Sequence, residues 1–256
     1  MPHDEDPVLR WAIDPRIAAG VSTRRGGVST SPYASLNWSY AVGDDPERVA
    51  ENRRRALGAL GLNPAQLAVA GQVHGAALAR VGASEAGGRP VPGVDGLYTS
   101  EAGTAVAVAV ADCVPVLLAA PDHGWVAAVH AGWRGTAQGI ARRAVEALVA
   151  EGVPASAIWA AIGPSIGPCC YEVDAPVWEA MTAAFGSDRM LVPNRPGHWR
   201  LDLWLANQMA LEAAGILPGH IELLGWCTAC HPEWFFSYRR DGARSGRMGG
   251  FICRLP

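Results

Sequence analysis

The longest apolar stretches of the chain lie near its middle. Segments 104–110, 114–119 and 125–130 are almost continuously apolar and rich in valine and alanine, the pattern of strands buried on both faces. Between the second and third segments, Pro121 to Gly124 form a tight turn. We therefore predict three buried strands, the last two paired as a hairpin.

Apolar residues at helical spacing predict four helices. The first begins at Asp45-Pro46, an N-cap followed by a first-turn proline, and Gly61 ends it. The second starts with Thr136 as its cap and closes at Gly152. The others are predicted from Asp174 and over 202–214.

Shorter patterns predict further strands and one surface loop. The loop is the Gly- and Pro-rich stretch 83–93. The strands lie on both sides of a turn at 72–75 and at 158–162, 221–226, 235–238 and 250–254. With 256 residues, half of them apolar, the chain can bury a large core. We predict one α/β (α+β) domain over 1–256, with mixed β-sheets.

Charge and composition disfavour nucleic-acid-binding, secreted and membrane-spanning proteins. The formal net charge is −3 and basic residues are dispersed, so nucleic acid is not an expected partner. The acidic N-terminus does not resemble a secretory signal, and the apolar stretches are too short to span a bilayer. We expect a cytoplasmic protein without a membrane partner, whose six cysteines are thiols.

Three residues suggest chemistry, because each stands where an apolar run meets a Gly- or Pro-rich turn. They are His74, Cys113 and His130. One thiolate and two imidazoles suit zinc and leave a fourth coordination position open. Their long, irregular spacing by itself favours an inert buried thiol and hydrogen-bonded scaffold histidines.

The neighbours of these residues favour a functional site. Asp112 is costly in an apolar run unless it is paired or functional. His130 leads into a predicted helix start beside Arg134, an arrangement that suits phosphate, although Arg134 could equally form a surface ion pair. Cys113 and His130 could also act as a nucleophile and base without metal.

The remaining cysteines form two pairs. Cys227 and Cys230 are a C-x-x-C followed by His231-Pro232-Glu233, the reverse of the order in zinc nucleobase deaminases, so we regard that likeness as accidental. Redox or structural-metal use of this pair stays open. Cys169 and Cys170 are adjacent, which disfavours an ordinary disulfide, and local packing is their default interpretation.

Short motifs spread from about residue 20 to the C-terminus resemble the YfiH family, known also as laccase-domain, multicopper polyphenol oxidoreductase or peptidoglycan editing factor-like proteins. They are Thr23-Arg24, Gly26-Gly27-Val28-Ser29, Ser35-Leu36-Asn37, Val42-Gly43-Asp44-Asp45-Pro46, Gln72-Val73-His74-Gly75, Ala111-Asp112-Cys113-Val114-Pro115-Val116, His130-Ala131-Gly132-Trp133-Arg134-Gly135, Ile162-Gly163-Pro164, Tyr171-Glu172-Val173, Phe235-Phe236-Ser237-Tyr238-Arg239-Arg240-Asp241-Gly242 and Gly246-Arg247-Met248.

The resemblance implies an αββα sandwich and one zinc ion held by His74, Cys113 and His130. It also implies phosphorolysis of adenosine, inosine, guanosine and S-methyl-5'-thioadenosine, with adenosine deamination as a second activity. The substrates would then be purine nucleosides and inorganic phosphate. We expect Cys113 and His130 to be catalytic as well as metal ligands.

The roles of nearby polar residues are hypotheses from proximity in the sequence. Arg24, Arg134 and the helix start near Thr136 are candidates for phosphate binding. Gln72 and Asn37 are candidates for hydrogen bonds to purine or ribose. Asp112 is a candidate proton carrier or a support for the ligands.

Two other enzyme classes compete with this interpretation. A copper polyphenol oxidase is disfavoured because the seven histidines include no His-x-His pair. A metal-free Cys-His hydrolase or amidase acting on peptidoglycan precursors is the more serious alternative. A non-enzymatic binding module is least favoured, since it has no need of an open metal position.

Overall fold

The computed structural model describes residues 6–256. Fifteen strands and six α-helices occur in that range. The helices are α1 (Pro46–Gly58), α2 (Trp133–Ala137), α3 (Ile140–Ala150), α4 (Ala175–Phe185), α5 (Leu203–Ala213) and α6 (Tyr238–Asp241). The strands are β1 (Val8–Arg10), β2 (Ile17–Ser22), β3 (Leu67–Gly71), β4 (Leu78–Arg80), β5 (Pro90–Pro92), β6 (Gly96–Thr99), β7 (Ala105–Val110), β8 (Val114–Ala120), β9 (Trp125–Ala131), β10 (Trp159–Ile162), β11 (Glu172–Asp174), β12 (Leu191–Arg195), β13 (His198–Leu201), β14 (Ile221–Leu223) and β15 (Met248–Arg254).

Two six-stranded mixed sheets form the centre of the molecule. The first sheet has the order β1-β2-β15-β7-β3-β5 and the second has the order β14-β10-β8-β9-β6-β4. A small antiparallel sheet, β11-β13-β12, lies beside them. Among the described residues, no helix combines the length and the apolarity needed to cross a membrane.

Alternating side chains of the central strands explain the layering. In β7, Val106 and Val108 belong to the core between the two sheets, whereas Ala105 and Ala107 pack in the cluster that includes Leu57 of α1. In β8, Leu117 likewise faces the core between the sheets. Because successive strand residues point to opposite faces, an apolar run is required where helices cover the outer face. The predicted αββα sandwich is confirmed.

Most of the predicted elements occur close to their expected positions. The hairpin of β8 and β9 is antiparallel, with Pro115 opposite His130. Asp45 caps α1 by accepting a hydrogen bond from the backbone N–H of Glu47. Strands β1 and β2 were not predicted, and β5, which pairs in parallel with β3, lies in the stretch predicted to be a loop.

Two predictions of local structure are wrong. The helix expected from Thr136 is divided into α2 and α3 by Gly139, whose φ is 78°, and Thr136 is buried inside α2 rather than capping it. Residues 235–238 do not form a strand; Phe235 and Phe236 fill the core, and Ser237 caps α6. Burial in an irregular segment produced the strand-like apolar pattern.

The topology brings several strand ends to one edge of the sandwich, which we call the site edge. Strands β3 and β7 are parallel neighbours and therefore end on the same side. Each is followed by a connection that crosses to the second sheet, leading to β4 and β8. Since β9 is antiparallel to β8, it ends at this edge too. Residues that follow these strands are thereby brought together.

Candidate metal centre and active site

The site edge brings His74, Cys113 and His130 together. One ligand atom from each lies within 4.8 Å of the others, and the two imidazole rings meet edge to face with centroids 4.9 Å apart. His130 is only 3% exposed, whereas His74 is exposed and Cys113 is half-buried. The group is therefore supported from inside and accessible from outside.

A glycine allows the close approach of these groups. A Cβ atom on Gly132 would lie 2.9 Å from Cys113 Sγ and 3.6 Å from His74 Cδ2. Such a contact with sulfur is too short for a real side chain, so the thiol or the backbone would have to move. The Gly132 position thus helps to define the space around the three ligands.

Asp95, which sequence analysis missed, organises both histidines. Its fully buried carboxylate accepts the backbone N–H groups of residues 73–75 at 3.1, 2.9 and 2.8 Å. These bonds hold His74 at a φ of 61°, a left-handed conformation that is uncommon for a residue with a side chain. The His130 Nδ1 atom lies 2.8 Å from Asp95 Oδ1.

The contact between Asp95 and His130 determines which ring nitrogen faces the site. When Nδ1 bonds the carboxylate, Nε2 is left for a metal ion or for Cys113. Carboxylates commonly support histidine ligands in this way, fixing the ring and increasing its basicity. Asp95 lies between Gly93 and Gly96, directly before a strand. Like Asp112, it is an acid beside a strand end, and this pattern could have been recognised from the sequence.

Electrostatic interactions favour a charged pair when no metal is bound. Burial opposes ionisation of Cys113, but His130 and His74 lower the pKa of its thiol to about 6. Burial likewise opposes the charge on His130, but Cys113 and Asp95 raise its pKa to about 9. The site therefore favours a thiolate, the form in which cysteine binds metal or attacks carbon.

Asp112 holds the turn that carries Cys113. It has a φ of 80°, and its carboxylate accepts the Thr228 hydroxyl and the Arg239 backbone N–H, each at 2.6 Å. Its backbone carbonyl accepts the N–H of Ile166 at 3.0 Å. These bonds explain why a buried acid is tolerated beside an apolar strand.

Two of the residues suggested for substrate binding, Gln72 and Arg24, form side-chain hydrogen bonds with the protein backbone. Gln72 exchanges two hydrogen bonds with the backbone of Ala109. Arg24 donates to the carbonyls of Ala34 and Pro232. Their side chains thereby connect loops to the sheet and to each other.

Asn37 is fully buried and all its side-chain hydrogen-bonding capacity is used. Its amide donates to Ser39 O and Asp44 Oδ2, and its carbonyl accepts from the N–H groups of Ser39 and Arg247. The polarity that drew attention to Asn37 in the sequence is explained by this network.

Several other polar groups act on the site. Arg134 is exposed at the start of α2 and its guanidinium lies over the Trp133 ring at 4.4 Å. Burial, followed by the negative charge of Cys113, raises the pKa of Tyr171. Arg239 lies over the Tyr171 ring at 5.1 Å. Burial lowers the pKa of Arg247, while Cys113 and Asp112 oppose that effect.

Comparisons with known proteins identify the family of the chain. A family model described as "Multi-copper polyphenol oxidoreductase laccase" matches residues 18–255. The chain belongs to this family. "Purine nucleoside phosphorylase YlmD" of Geobacillus stearothermophilus is 44% identical over 245 residues, covering 92% of this chain and 89% of the relative. A purine nucleoside phosphorylase of Deinococcus radiodurans is 40% identical over 249 residues, covering 96% and 92%.

Two solved structures have the same fold. The crystal structure of YlmD from Geobacillus stearothermophilus has a TM-score of 0.91 at 41% identity and covers 98% of this chain and 100% of its own. The crystal structure of the hypothetical protein YfiH from Bacillus licheniformis has a TM-score of 0.93 at 34% identity. It covers 99% of this chain and 98% of its own.

The three ligands fit a single metal ion. Tetrahedral zinc with bonds of roughly 2.0–2.3 Å places its ligand atoms about 3.3–3.8 Å apart, which is compatible with a group whose atoms all lie within 4.8 Å. The laccase family name suggests several copper ions. Within residues 6–256, however, the only other group able to hold a metal consists of four cysteines.

Proposed function

We propose that the protein is a zinc-dependent purine nucleoside phosphorylase. Its substrates would be inorganic phosphate with adenosine, inosine, guanosine or S-methyl-5'-thioadenosine, and adenosine deamination would be a second activity. The observation that carries the proposal is the accessible His74–Cys113–His130 group with Asp95 behind it. Relatives with this fold that are named purine nucleoside phosphorylases supply the reaction class.

In phosphorolysis, phosphate attacks the anomeric carbon of the ribose as the bond from that carbon to the purine nitrogen breaks. The departing base gains a proton, and positive charge develops on the sugar. The protein must hold an anion, orient the nucleoside and assist the leaving base. Bound zinc would supply a Lewis acid at the edge where these groups converge, and in deamination the same ion would promote attack of water.

The surrounding side chains suit the remaining tasks. The cationic groups of Arg134, Arg239 and Arg247 provide positive potential for phosphate. The Tyr171 hydroxyl, whose pKa is raised by burial, is protonated at neutral pH and can donate a hydrogen bond to substrate. Asp95 orients His130 and keeps Nε2 directed away from the core.

The proposal is tested by replacing each ligand separately. His74→Ala, Cys113→Ala and His130→Ala should each lose the zinc of this site and at least about 100-fold in phosphorolysis, because an open catalytic site cannot spare one of three ligands. Release of free base from a nucleoside panel with phosphate measures activity, and elemental analysis identifies the metal. Cys253→Ala, which removes a buried thiol of β15, is the matched control.

Two outcomes would redirect the assignment. Full phosphorolysis by Cys113→Ala would exclude the proposed mechanism. Copper at this site would favour an electron-transfer role, since a His₂Cys set also suits a single copper ion.

One observation favours a second candidate function, a metal-free hydrolase or amidase acting on peptidoglycan precursors. The lowered pKa of Cys113 and the raised pKa of His130 describe a thiolate–imidazolium pair, as nucleophilic cysteine enzymes have. Hydrolysis of such precursors by zinc-depleted protein, abolished in Cys113→Ala and inhibited by added zinc, would support it. Absence of that activity, with zinc required for phosphorolysis, would support the phosphorylase.

A further inference from the structure

A second group of potential metal ligands lies at the same edge, apart from the first. It consists of Cys169, Cys170, Cys227 and Cys230, whose sulfur atoms all lie within 4.8 Å of one another. We call it the four-cysteine cluster. Two of its members are exposed, one is half-buried and one is buried. The proposed function makes no use of these thiols.

Strand pairing explains why distant cysteines meet. Strands β10 and β14 are parallel neighbours, with Ile162 opposite Leu223, so the loops that follow them leave the sheet side by side. The loops remain in contact beyond the strands. Ser165 bridges to Cys227, and the Thr228 N–H donates to Ser165 O at 3.0 Å. The pairing brings Cys169-Cys170 beside the C-x-x-C of the other loop.

The separations between the sulfur atoms suit one tetrahedral ion. Cys230 Sγ lies 3.3 Å from Cys170 Sγ and 3.6 Å from Cys169 Sγ. Four thiolates around zinc at about 2.3 Å would be separated by about 3.8 Å. A disulfide requires a bond of only about 2.0 Å, and all four cysteines are free thiols. The compact group leaves no room for a second ion between the thiols.

The backbone around the cluster is built closely against the sulfur atoms. The Gly167 N–H donates to Cys227 Sγ at 3.3 Å, a contact that stabilises a thiolate. A Cβ atom on Gly167 would lie 2.8 Å from the Trp204 ring and 3.3 Å from Cys169 Sγ. Only a glycine allows this loop to pass between the tryptophan and the thiols without displacing one of them.

We propose that the four-cysteine cluster is a second zinc site, closed and structural, that ties the loop after β10 to the loop after β14. Four protein thiolates fill every tetrahedral position, which is the arrangement of structural zinc and leaves none for substrate. Zinc binding here releases the protons of the thiols and involves no change of oxidation state.

The proposed site would support the candidate active site through its neighbours. Thr228, between Cys227 and Cys230, donates its hydroxyl to Asp112 Oδ1 at 2.6 Å. From the other loop, the Ile166 N–H donates to the Asp112 carbonyl. Both loops thus hold the residue that precedes Cys113. The cysteines would therefore act as positioning residues for the catalytic turn.

Metal content of the full-length protein tests the inference. Purified with zinc and reductant, the wild type should contain two zinc ions per chain, and Cys169→Ser/Cys230→Ser should contain one. Cys113→Ser should also retain one zinc, in the four-cysteine cluster, while Cys253→Ser should retain two. A single zinc in the wild type that Cys113→Ser abolishes would overturn the second site, as would iron in its place.

A measurement on the wild type avoids the risk that the double variant fails to fold. With zinc bound, Cys169, Cys170 and Cys230 should resist alkylation, and a chelator should make these three thiols reactive together, as peptide mapping can show. Equal alkylation with and without chelator would contradict the proposal, as would a disulfide among them in protein kept under reductant. These experiments measure zinc content and alkylation and do not measure phosphorolysis. A result that contradicts the second zinc site therefore does not contradict the proposed function.

Discussion

The two groups of metal ligands at the site edge differ in composition and in support. His74, Cys113 and His130 combine two imidazoles with one thiol, and a buried carboxylate fixes both histidines. The four-cysteine cluster contains thiols alone and lies on two loops. Three ligands leave a coordination position for chemistry, whereas four close the site. Under these two proposals, neighbouring strand ends of one sandwich would hold a catalytic metal site and a structural metal site separately.

Positioning also differs between the two groups. The first is anchored where β3, β7 and β9 end, so the two sheets themselves determine its geometry. The second depends on loop contacts such as that from Gly167 N–H to Cys227 Sγ. This contrast predicts that the first group persists without metal, while the second relies on metal for its order.

Apart from replacement of the three ligands themselves, the largest effect is expected from Asp95→Asn. The amide retains one acceptor but introduces N–H donors where three backbone N–H groups converge, and it no longer supports His130 as a carboxylate does. Loss of such a support lowers metal affinity or activity by about 10–100-fold. Zinc competition titration should show weaker binding at the first group and unchanged binding at the four-cysteine cluster.

Asp122→Asn, which alters an exposed carboxylate paired with Arg16, is the control. If Asp95→Asn and this control bound zinc equally tightly at the first group, the Asp95 carboxylate would not support the histidine ligands.

A smaller effect is expected on the reactivity of the thiols when the protein holds no metal. The pKa of Cys113 is lowered to about 6, so its thiolate predominates at pH 7 and is lost as the pH falls through 6. Burial and the contact with Cys230 raise the pKa of Cys170 to about 11, so it stays protonated at pH 7. Iodoacetamide at pH 7 should modify Cys113 at least about ten-fold faster.

Peptide mapping over a pH series measures both rates. His130→Gln removes the positive charge that contributes most to the lowering, so the midpoint for Cys113 should move upward in that variant. A midpoint that stays near pH 6 would show that His130 is not the cause.

The smallest effect is expected from the hydrogen bond that links the loop of the four-cysteine cluster to the turn before Cys113. Thr228→Val removes the hydroxyl that Asp112 accepts, and an unsatisfied buried acceptor costs about 1–3 kcal/mol. At roughly 2–4 °C per kcal/mol for a chain of this size, the melting temperature should fall by several degrees, and phosphorolysis by a few-fold. Thr228→Ser retains the hydroxyl and should behave as wild type. Unchanged activity in Thr228→Val would mean that the two groups function independently.

Sequence patterns predicted the regular elements well where the signals are local. The start of α1 follows from Asp45-Pro46, although the helix ends at Gly58 rather than at the predicted Gly61. The hairpin of β8 and β9 follows from two apolar runs joined by a short turn. Local patterns failed at Thr136, because Gly139 interrupts the helix, and at Phe235-Phe236, because buried aromatic residues in an irregular segment resemble a strand.

The site was only partly predictable for a similar reason. His74, Cys113 and His130 were conspicuous as polar residues at the ends of apolar runs. Asp95 received no attention, since its partners are the N–H groups of a distant turn and an imidazole 35 residues away. Conversely, Asn37 and Gln72 appeared available for substrate, although hydrogen bonds to Ser39, Asp44 and Ala109 already use their side chains. Polarity identifies a residue that needs a partner but does not say which partner it has.

By itself, the sequence determined the alternation of strands and helices, the N-cap of α1 and the residue types able to hold a metal, because these depend on near neighbours in the chain. Only the tertiary structure decided that Cys169-Cys170 meet Cys227 and Cys230, and that Asp95 supports His130. Both contacts arise from pairing between strands far apart in sequence. Such pairing is stabilised by packing between distant strands, so it cannot be predicted from a local pattern of residues.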